Sequence, residues 1–431
     1  MQKKSVRKIA SNPLKKVIIV ISLILLSIII LFCLLVGLKI YKTHQQQASL
    51  TSFYNTSNIP NDKPGKLIRY ERMYDVTVPY GKAYRILYHS QRADGTPTIS
   101  SGMIFIPDNP ATTGNNSKPA TIDRSPIVAW AHGTIGMGLP CAPSQSTDPL
   151  ADIGGLSEMM QAGFIVTATD YAGLGTAGTE MYLIGDDEAR DVLNSIRAAK
   201  QLYPNASNRF ALWGHSAGGH SVLFAANLAK SYAPGLTLVA AAAGAPAAQL
   251  PELMQQQYKT GVSWFIGPEM AISWPLVYKD LNLQTSLSQA ALQNYKRIAF
   301  ECSVPGALEA LLRNKIDQTF FVTDPNTIPS WSKALQNQTP HPVLATPLLI
   351  VQSLADTVVL PNTTALYAKK SCDADANITV TWLGGTVTHQ QTAITAGPSV
   401  VSWLSDRFAG LPTESTCTQP LPIKPAKELI N

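Results

Sequence analysis

The order of apolar and polar residues divides this chain of 431 residues into distinct regions. Residues 17–38 form an uncharged, mostly apolar run, and residues 39–65 are polar and aperiodic. Between 66 and 107, β-rich runs are separated by Gly-containing turns, a pattern typical of antiparallel strands. After Pro126, short continuous apolar runs alternate with longer segments of helical periodicity. That alternation predicts a mostly parallel sheet covered by helices on both faces.

The individual elements follow from these runs. The predicted antiparallel strands are 73–79, 84–90 and 98–106. The predicted strands of the parallel region are 127–131, 164–169, 210–214, 236–242, 347–352 and 378–383. The predicted helices between them are 186–203, 218–233, 365–370 and 391–408, the last broken or bent by Gly397-Pro398.

Residues 245–341 interrupt the alternation between two predicted strands. Within them, 288–300 and 305–315 have helical periodicity, so we interpret the segment as a helical cap inserted over the carboxyl end of the sheet. The aromatic residues between Trp264 and Tyr278 fit either the core of that cap or a substrate pocket, and the sequence does not distinguish the two.

The apolar run at 17–38 has the length of a membrane anchor. Its 22 residues would span roughly 33 Å as a helix, enough to cross a bilayer core. Six basic residues precede it, which predicts a cytoplasmic tail at 1–16 and a single-pass protein with its folded body outside the cytoplasm. The alternative is a cleaved signal peptide, which would make the protein secreted. Such a peptide has a shorter apolar region and ends at small residues, whereas Lys39 and Lys42 follow here.

Charge and cysteines agree with an exported body. The net charge is +6, but residues 1–45 hold eight of the 34 basic residues and no acid, so the remainder carries a net charge of −2. A body so close to neutral shows no basic surface for nucleic acid. Four cysteines lie beyond the anchor, and an even number in an oxidising compartment predicts two disulfides whose pairing stays open. These are Cys141, Cys302, Cys372 and Cys417.

The segment 210–220 holds the candidate nucleophile. An apolar strand leads through Gly214-His215-Ser216-Ala217-Gly218 into an Ala-rich helix. Glycines on both sides allow a tight strand-to-helix turn, which projects the serine hydroxyl above the helix N-terminus. The context of strand, turn and helix makes Ser216 the predicted nucleophile.

A nucleophilic serine needs a base, and the base needs an acid that orients it. Asp356 comes four residues after the strand 347–352, and His389 is the only histidine downstream of it. The order Ser, Asp, His is the one expected after such a turn. Asp373 and Asp375 are competing acids, but they follow a predicted helix and not a strand. We interpret His215 and His220, on either side of the serine, as packed residues.

Backbone donors are needed for the negative charge that such a reaction creates. Ala217, the residue after the nucleophile, supplies one N–H. The Gly-rich loop after strand 127–131 reads His132-Gly133-Thr134-Ile135-Gly136, and it is expected to supply the other donor, although it could also be an ordinary strand-ending turn. Thr134 is the best candidate by similarity to related hydrolases, in which the residue after His-Gly lies under the scissile bond. The segment 170–175 after strand 164–169 is either a turn or part of the pocket floor.

These motifs together resemble those of the secretory lipase family, typified by fungal lipase A and found also in bacteria. The matching pieces are 131–136 with Cys141-Ala142-Pro143-Ser144, then 169–175, 214–219, 355–359 and Thr388-His389. The resemblance covers roughly residues 65–420. It implies an α/β-hydrolase fold with an inserted helical cap and hydrolysis of acylglycerols or simpler carboxylic esters, with no cofactor and no metal. It also implies disulfides Cys141–Cys302 and Cys372–Cys417.

Two departures from the family are visible. Its members are usually released after export, whereas this chain has the features of a tethered protein, and Ser353 stands where a glycine commonly precedes the acid loop. The predicted partners are a lipid or other ester substrate and the membrane, with no obligate protein partner. The alternatives are a short-chain carboxylesterase of the same fold and a non-catalytic tethered binding module. The predicted organisation is tail 1–16, anchor 17–38, stalk 39–65, hydrolase domain 66–244 with 342–420, cap 245–341 and C-terminal tail 421–431.

Overall fold

The computed structural model describes residues 50–109 and 125–429, and Val17, 19–28, 30–31, 34 and 38 before them. Residues from 53 onward belong to one compact unit, and the earlier residues belong to a second. The described positions between 17 and 38 are helical. Across the described part of the chain, no helix is both long and apolar enough to cross a membrane. Residues 53–65 of the predicted stalk 39–65 belong to the larger unit, where Phe53 is buried and the Tyr54 hydroxyl contacts Ser144 Oγ at 2.5 Å, so this part is not a free stalk. The predicted anchor and the rest of the stalk fall partly on residues outside the described set, and they stay predictions.

A sheet of nine strands forms the centre of the larger unit, in the order β1-β2-β3-β5-β4-β6-β7-β8-β9. The first three strands and the β3–β5 pair are antiparallel, and every other neighbouring pair is parallel. The strands are β1 Leu67–Arg72, β2 Gly81–Gln91, β3 Pro97–Pro107, β4 Ser125–Ala131, β5 Ile165–Thr169, β6 Ala206–His215, β7 Thr237–Gly244, β8 Leu348–Ser353 and β9 Ile378–Leu383.

Helices cover both faces of this sheet, which confirms the predicted mostly parallel α/β architecture. Those that alternate with the strands are α1 Leu156–Gln161, α2 Gly185–Leu202, α3 Ala217–Tyr232, α10 Pro361–Asp373 and α11 Thr392–Phe408. Residues of α2, α3 and α10 pack in one core cluster, and residues of α1 and α11 pack in another. In β4, Ile127 and Ala129 belong to the first cluster and Val128 and Trp130 to the second, as the two-residue period of a strand requires.

The regular elements of the segment between β7 and β8 are helices. They are α4 Leu250–Gln257, α5 Gly261–Val277, α6 Leu283–Ser286, α7 Gln289–Ala299, α8 Ser303–Lys315 and α9 Pro329–Asn337. Trp264, Trp274 and Trp331 are fully buried in a third core cluster, shared by these helices. The buried Trp264 and Trp274 therefore belong to the core of this insertion, one of the two interpretations left open above.

Two details differ from the sequence-based expectations. Residues 73–79 form no strand, and Leu67–Arg72 pairs with β2 in their place. Met73 and Val78 are nevertheless buried, so the apolar residues of this segment pack in the core although the segment is irregular. Gly397-Pro398 does not break the last helix, because α11 runs from Thr392 to Phe408 with Pro398 inside it, and a Cβ on Gly397 would lie 2.4 Å from the Gly155 nitrogen.

Candidate active site

Ser216 lies at the sharp turn between β6 and α3. Its backbone has φ 59° and ψ −120°, a strained conformation for a residue with a side chain. The turn requires glycine nearby, because a Cβ on Gly218 would come within 2.0 Å of the Ala131 carbonyl oxygen. One on Gly214 would come within 2.4 Å of the Gly218 oxygen. The sequence 214–218 thus produces the predicted turn, and it places Ser216 at the carboxyl end of β6.

The structure brings the three predicted side chains together. His389 Nε2 is 2.8 Å from Ser216 Oγ, and His389 Nδ1 is 2.7 Å from Asp356 Oδ2. Asp356 comes from the loop between β8 and α10, and His389 from the loop between β9 and α11. Both side chains are buried, with exposed fractions of 3% and 7%. This arrangement lets the imidazole accept a proton from the serine hydroxyl while a carboxylate orients it.

Asp356 is held in position by three donors besides the histidine. Its Oδ1 accepts hydrogen bonds from the backbone N–H groups of Val358, at 2.8 Å, and Val359, at 3.1 Å. Its Oδ2 accepts one from Gln352 Nε2 at 3.2 Å. With Oδ2 facing the imidazole, Nδ1 carries the proton of the neutral ring, which leaves Nε2 as the acceptor toward Ser216.

Ser353, the departure from the family pattern, connects the loops that carry the acid and the histidine. Its hydroxyl donates to the Val387 carbonyl oxygen at 2.6 Å and accepts from the Ala355 N–H at 3.1 Å. A glycine at this position could make neither contact. This role could not be predicted from the sequence, because Val387 is distant in the chain.

The loop after β4 approaches the serine closely. A Cβ on Gly133 would lie 3.1 Å from Ser216 Cβ and 3.2 Å from the His215 carbonyl oxygen. The next residue, Thr134, forms a hydroxyl contact of 2.6 Å with the buried Tyr182. Ala217 is the first residue of α3, where backbone N–H groups have no acceptor within the helix. Ala217 thus adjoins Ser216 in the chain, and Thr134 follows the glycine that packs on the serine; their roles as donors stay predictions.

Replacing Gly133 by alanine is expected to lower kcat by about 10- to 100-fold, because the added methyl group displaces either the loop or the serine. Gly384→Ala is the matched control, since a Cβ there meets nothing within 4 Å. Steady-state kinetics on a soluble ester measure both variants. Equal rates for the two would show that the approach of residues 132–136 to Ser216 is not used in the reaction.

The histidines flanking the serine are packed differently from His389. The His215 ring lies 4.7 Å from the His389 ring, and its Nε2 is buried with no hydrogen-bond partner. Burial, and secondarily the charge of His389, lowers the pKa of His215 to about 3. His220 Nε2 contacts the Gln338 carbonyl oxygen at 2.8 Å. Neither ring is hydrogen-bonded to Ser216 in the arrangement that a base needs.

His215→Phe is expected to keep kcat within about tenfold of the parent, because an aromatic ring still packs on His389. The folded parent keeps residue 215 neutral, while the unfolded chain binds a proton there below pH about 6.5, so the parent loses stability as pH falls. Phenylalanine does not titrate, so the variant does not lose stability in this way. As the pH is lowered from 7 to 4, its free energy of unfolding should rise relative to that of the parent by on the order of 2–3 kcal/mol. Urea unfolding at both pH values measures it; a pH-independent difference would contradict the prediction.

The segment 170–175 has a structural role. Asp170 is fully buried and accepts hydrogen bonds from Ser101 Oγ at 2.6 Å, from the Ser144 N–H at 3.0 Å and from the Ser144 hydroxyl. Burial raises the pKa of Asp170, and these donors oppose the rise. Asp170 thereby joins the sheet to the segment after Cys141.

Three buried glutamates lie near Tyr182 and were not found from the sequence. Burial raises the pKa of Glu180 and Glu269 well above the usual range, and the neighbouring carboxyl groups raise both further. Glu188 accepts hydrogen bonds from the Leu183 N–H and the Ser221 hydroxyl. In the part of the chain that the structure describes, no cluster of three His, Cys, Asp or Glu side chains is arranged to hold a metal ion. The three carboxyl groups come from α2, α5 and a loop, so no local motif signals them.

Two disulfides are present, Cys141–Cys302 and Cys372–Cys417, in the pairing that the resemblance implied. The first joins the segment beyond the Gly133 loop to the start of α8. Around it, the Met137 N–H donates to the Ala299 carbonyl oxygen at 2.7 Å, and Gly136 packs directly on the Glu301 backbone. The loop beside Ser216 is therefore joined to the helical insertion by a disulfide, a hydrogen bond and backbone packing.

Comparison with known proteins places the chain among ester hydrolases. A family model described as secretory lipase matches residues 150–416. Lipase A of Arthroderma benhamiae is 24% identical, over 82% of this chain and 78% of its own length. A secreted triacylglycerol lipase of Malassezia globosa is 23% identical, over 81% and 76%. A trichothecene C-3 esterase of Fusarium sporotrichioides is 25% identical, over 80% of each chain.

Solved structures agree on the fold. The structure of Candida antarctica lipase A in its closed state superposes with a TM-score of 0.65 at 21% identity, covering 86% of this chain and 89% of that one. The family match covers more than half of the 431 residues. The chain therefore belongs to the secretory lipase family, and it is an ester hydrolase with an α/β-hydrolase-like fold.

Proposed function

We propose that this chain is a lipase that hydrolyses acylglycerols through an acyl-enzyme on Ser216. The observation that carries the proposal is the continuous contact from Ser216 Oγ to His389 Nε2, at 2.8 Å, and from His389 Nδ1 to Asp356 Oδ2, at 2.7 Å. The names of relatives supply the substrate class, since several are secreted triacylglycerol lipases.

In the first half of the reaction, Ser216 Oγ bonds to the ester carbonyl carbon while His389 Nε2 takes the hydroxyl proton. The carbonyl oxygen becomes an oxyanion, which accepts hydrogen bonds from the N–H groups of Ala217 and Thr134. The bond to the alcohol oxygen then breaks, and His389 gives its proton to the departing alcohol. Asp356 holds the ring orientation throughout.

In the second half, a water molecule attacks the acyl carbon while His389 takes one of its protons. The bond between the acyl carbon and Ser216 Oγ then breaks, and the serine oxygen recovers a proton from His389. The products are a fatty acid and the free enzyme. The buried positions of His389 and Asp356 support this cycle, because electrostatic interactions are stronger where water is excluded.

A series of p-nitrophenyl esters from acetyl to palmitoyl tests the substrate class. A lipase should prefer the longer acyl chains and gain activity when the substrate forms micelles or droplets. A preference for short chains with no such gain would favour the alternative, a carboxylesterase. The similarity to a trichothecene C-3 esterase is the observation behind that alternative. The Ser216→Ala variant measures the background hydrolysis for every ester.

We further propose that the enzyme stays tethered, with 1–16 in the cytoplasm, 17–38 across the membrane, 39–52 as a stalk and the catalytic body outside. The support is the uncharged 22-residue run at 17–38 and the basic residues that precede it. Alkaline carbonate extraction of membranes from expressing cells tests this. An anchored chain stays in the membrane pellet at full mass, whereas a shortened protein in the medium would indicate cleavage.

A further inference from the structure

Gln257 is the last residue of helix α4 in the helical insertion, and its side chain is buried. Its Nε2 donates two hydrogen bonds, one to the Thr357 carbonyl oxygen at 2.8 Å and one to the Val358 carbonyl oxygen at 2.9 Å. Both acceptors lie in residues 354–360 between β8 and α10, which carry Asp356 and are called the acid loop below. Both hydrogens of the buried amide are therefore directed at the acid loop.

The orientation of this amide is fixed by its third partner. Gln257 Oε1 accepts a hydrogen bond from Thr260 Oγ1 at 2.8 Å. Thr260 is the N-cap residue of α5, where the same hydroxyl accepts from the Val262 N–H at 3.2 Å. Turning the amide over would place its oxygen against two carbonyl oxygens, none of which can donate. Gln257 is thus held between the start of α5 and the acid loop in a single orientation.

The carbonyl groups that Gln257 binds belong to the two peptide groups that hold Asp356. The first peptide group contains the Thr357 carbonyl and the Val358 N–H, and the second contains the Val358 carbonyl and the Val359 N–H. These two N–H groups donate to Asp356 Oδ1 at 2.8 Å and 3.1 Å. In a planar trans peptide group the carbonyl and the N–H point in opposite directions. Each peptide group therefore lies between the Gln257 amide and the Asp356 carboxylate.

This arrangement gives Gln257 an effect on the imidazole that it does not touch. Rotation of either peptide group would break a hydrogen bond to Gln257 as well as one to Asp356. A hydrogen bond accepted by a carbonyl also strengthens donation by the N–H of the same peptide group, by roughly 10–30%. The position of Asp356 Oδ1 sets the position of Oδ2, which contacts His389 Nδ1 at 2.7 Å. The contacts of Gln257 therefore extend through the backbone to the orientation of the His389 ring.

From these observations we propose that Gln257 is a positioning residue for Asp356, so that the helical insertion takes part in orienting the base of the reaction. A glutamine that only joined the insertion to the sheet domain could bind any surface of that domain. Both hydrogen bonds of Gln257 instead fall on the peptide groups that bind the carboxylate. This inference rests on the proposed function, because the orientation of Asp356 affects the rate only if His389 is the base.

Gln257→Met in the full chain removes the donor and keeps an unbranched side chain of similar length. The kcat for a soluble short-chain ester should fall about 10- to 100-fold, because a small displacement of catalytic groups costs that much. The KM should change less than about threefold, since Gln257 acts on the acid and not on the bound ester.

Gln256→Met is the matched control. Gln256 is the neighbouring residue of α4, and its Oε1 accepts from Asn362 Nδ2 at 2.9 Å, so it joins the same helix to the sheet domain outside the acid loop. Its kcat should stay within about twofold of the parent. Equal kcat losses in the two variants, or a raised KM with an unchanged kcat in Gln257→Met, would overturn the proposal.

Gln257→Glu tests the same contacts with less change in packing, and it serves if Gln257→Met does not fold. It keeps the size of the side chain and the bond from Thr260. Burial favours the neutral form of such a carboxyl group, which has one O–H and can donate to only one of the two carbonyl oxygens. We expect a kcat between those of Gln257→Met and Gln256→Met, with thermal unfolding showing each chain folded at the assay temperature. A folded Gln257→Glu chain with the kcat of the parent would overturn the proposal.

A double-mutant cycle with Asp356→Asn separates positioning of the acid from a general loosening of the insertion. If Gln257 acts through Asp356, its substitution should lower the residual kcat of Asp356→Asn less than about threefold. Rates are corrected with those of Ser216→Ala. The same 10- to 100-fold loss in both backgrounds would overturn the proposal, because Gln257 would then act independently of the acid.

The same set of variants distinguishes failure of this inference from failure of the proposed function. An Asp356→Asn chain as fast as the parent would overturn the proposed triad, and this inference with it. A slow Asp356→Asn chain beside a Gln257→Met chain with the kcat of the parent would overturn the inference alone.

Discussion

Replacing Ser216 by alanine is expected to lower kcat for ester hydrolysis by about 10⁶, because no other group forms the acyl-enzyme. The methyl group fits the space of the serine side chain, and the strained backbone at φ 59° is retained, since alanine adopts it no less readily than serine. Steady-state rates on a soluble ester, corrected for hydrolysis without enzyme, measure the loss.

Thermal unfolding provides the control for this variant, and its midpoint should match that of the parent within a few degrees. A chain that unfolds normally and retains more than about a hundredth of the parent rate would show that Ser216 is not the nucleophile. Loss of folding together with activity would be uninformative, and Ser216→Cys then offers a second nucleophile-altered chain of nearly the same shape.

Asp356→Asn is expected to lower kcat by about 10⁴ with little change in fold. The structure explains why the loss should be so large. The N–H groups of Val358 and Val359 both donate to Oδ1, so the amide oxygen of an asparagine must occupy that position. Its NH₂ group then faces His389 Nδ1 as a donor, and the ring must carry its proton on Nε2. In that tautomer Nε2 has no lone pair to accept the proton of Ser216.

Asp375→Asn is the matched control for this prediction. Asp375 is one of the two competing acids in the sequence and has a φ of 57°, a conformation that asparagine tolerates well. Its rate should stay within about twofold of the parent. Comparable losses in the two variants would mean that the carboxylate of Asp356 is not the group that orients the base.

The candidate triad could be predicted because each member follows a strand that the apolar pattern reveals. Ser216 comes directly after β6, Asp356 shortly after β8 and His389 after β9, and the carboxyl ends of parallel strands share one edge of the sheet. The chain order of the residue types then excludes the other histidines. The disulfide pairing came from the family resemblance alone, since four cysteines permit three pairings.

The remaining features depend on contacts between segments far apart in the chain. Ser353 reaches Val387 only after β8 and β9 have paired, and Glu180 meets Glu269 only when the helical insertion packs on the sheet domain. No local pattern carries either contact. In the segment 73–79 a local pattern is present but leads to the wrong element, because its apolar residues are buried in the core without any strand pairing.

The orientation of helix α8 could not be predicted from the sequence. Its periodicity predicted a helix at 305–315, and the structure has one at Ser303–Lys315. The sequence does not say which side of it faces the protein, because Gly306 and Ala310 provide a second, small-residue side that allows close packing. The three-dimensional structure was needed to show that the leucines point outward.

Covalent trapping of the reactive side chain examines the enzymatic assignment most directly. The full-length protein is treated with a fluorophosphonate, digested, and analysed by mass spectrometry to locate the modified residue. The geometry around His389 predicts a single phosphonylated peptide carrying the adduct on Ser216, and no adduct when His389 is replaced by alanine. Ester hydrolysis that persists while the reagent leaves residue 216 unmodified would contradict the assignment.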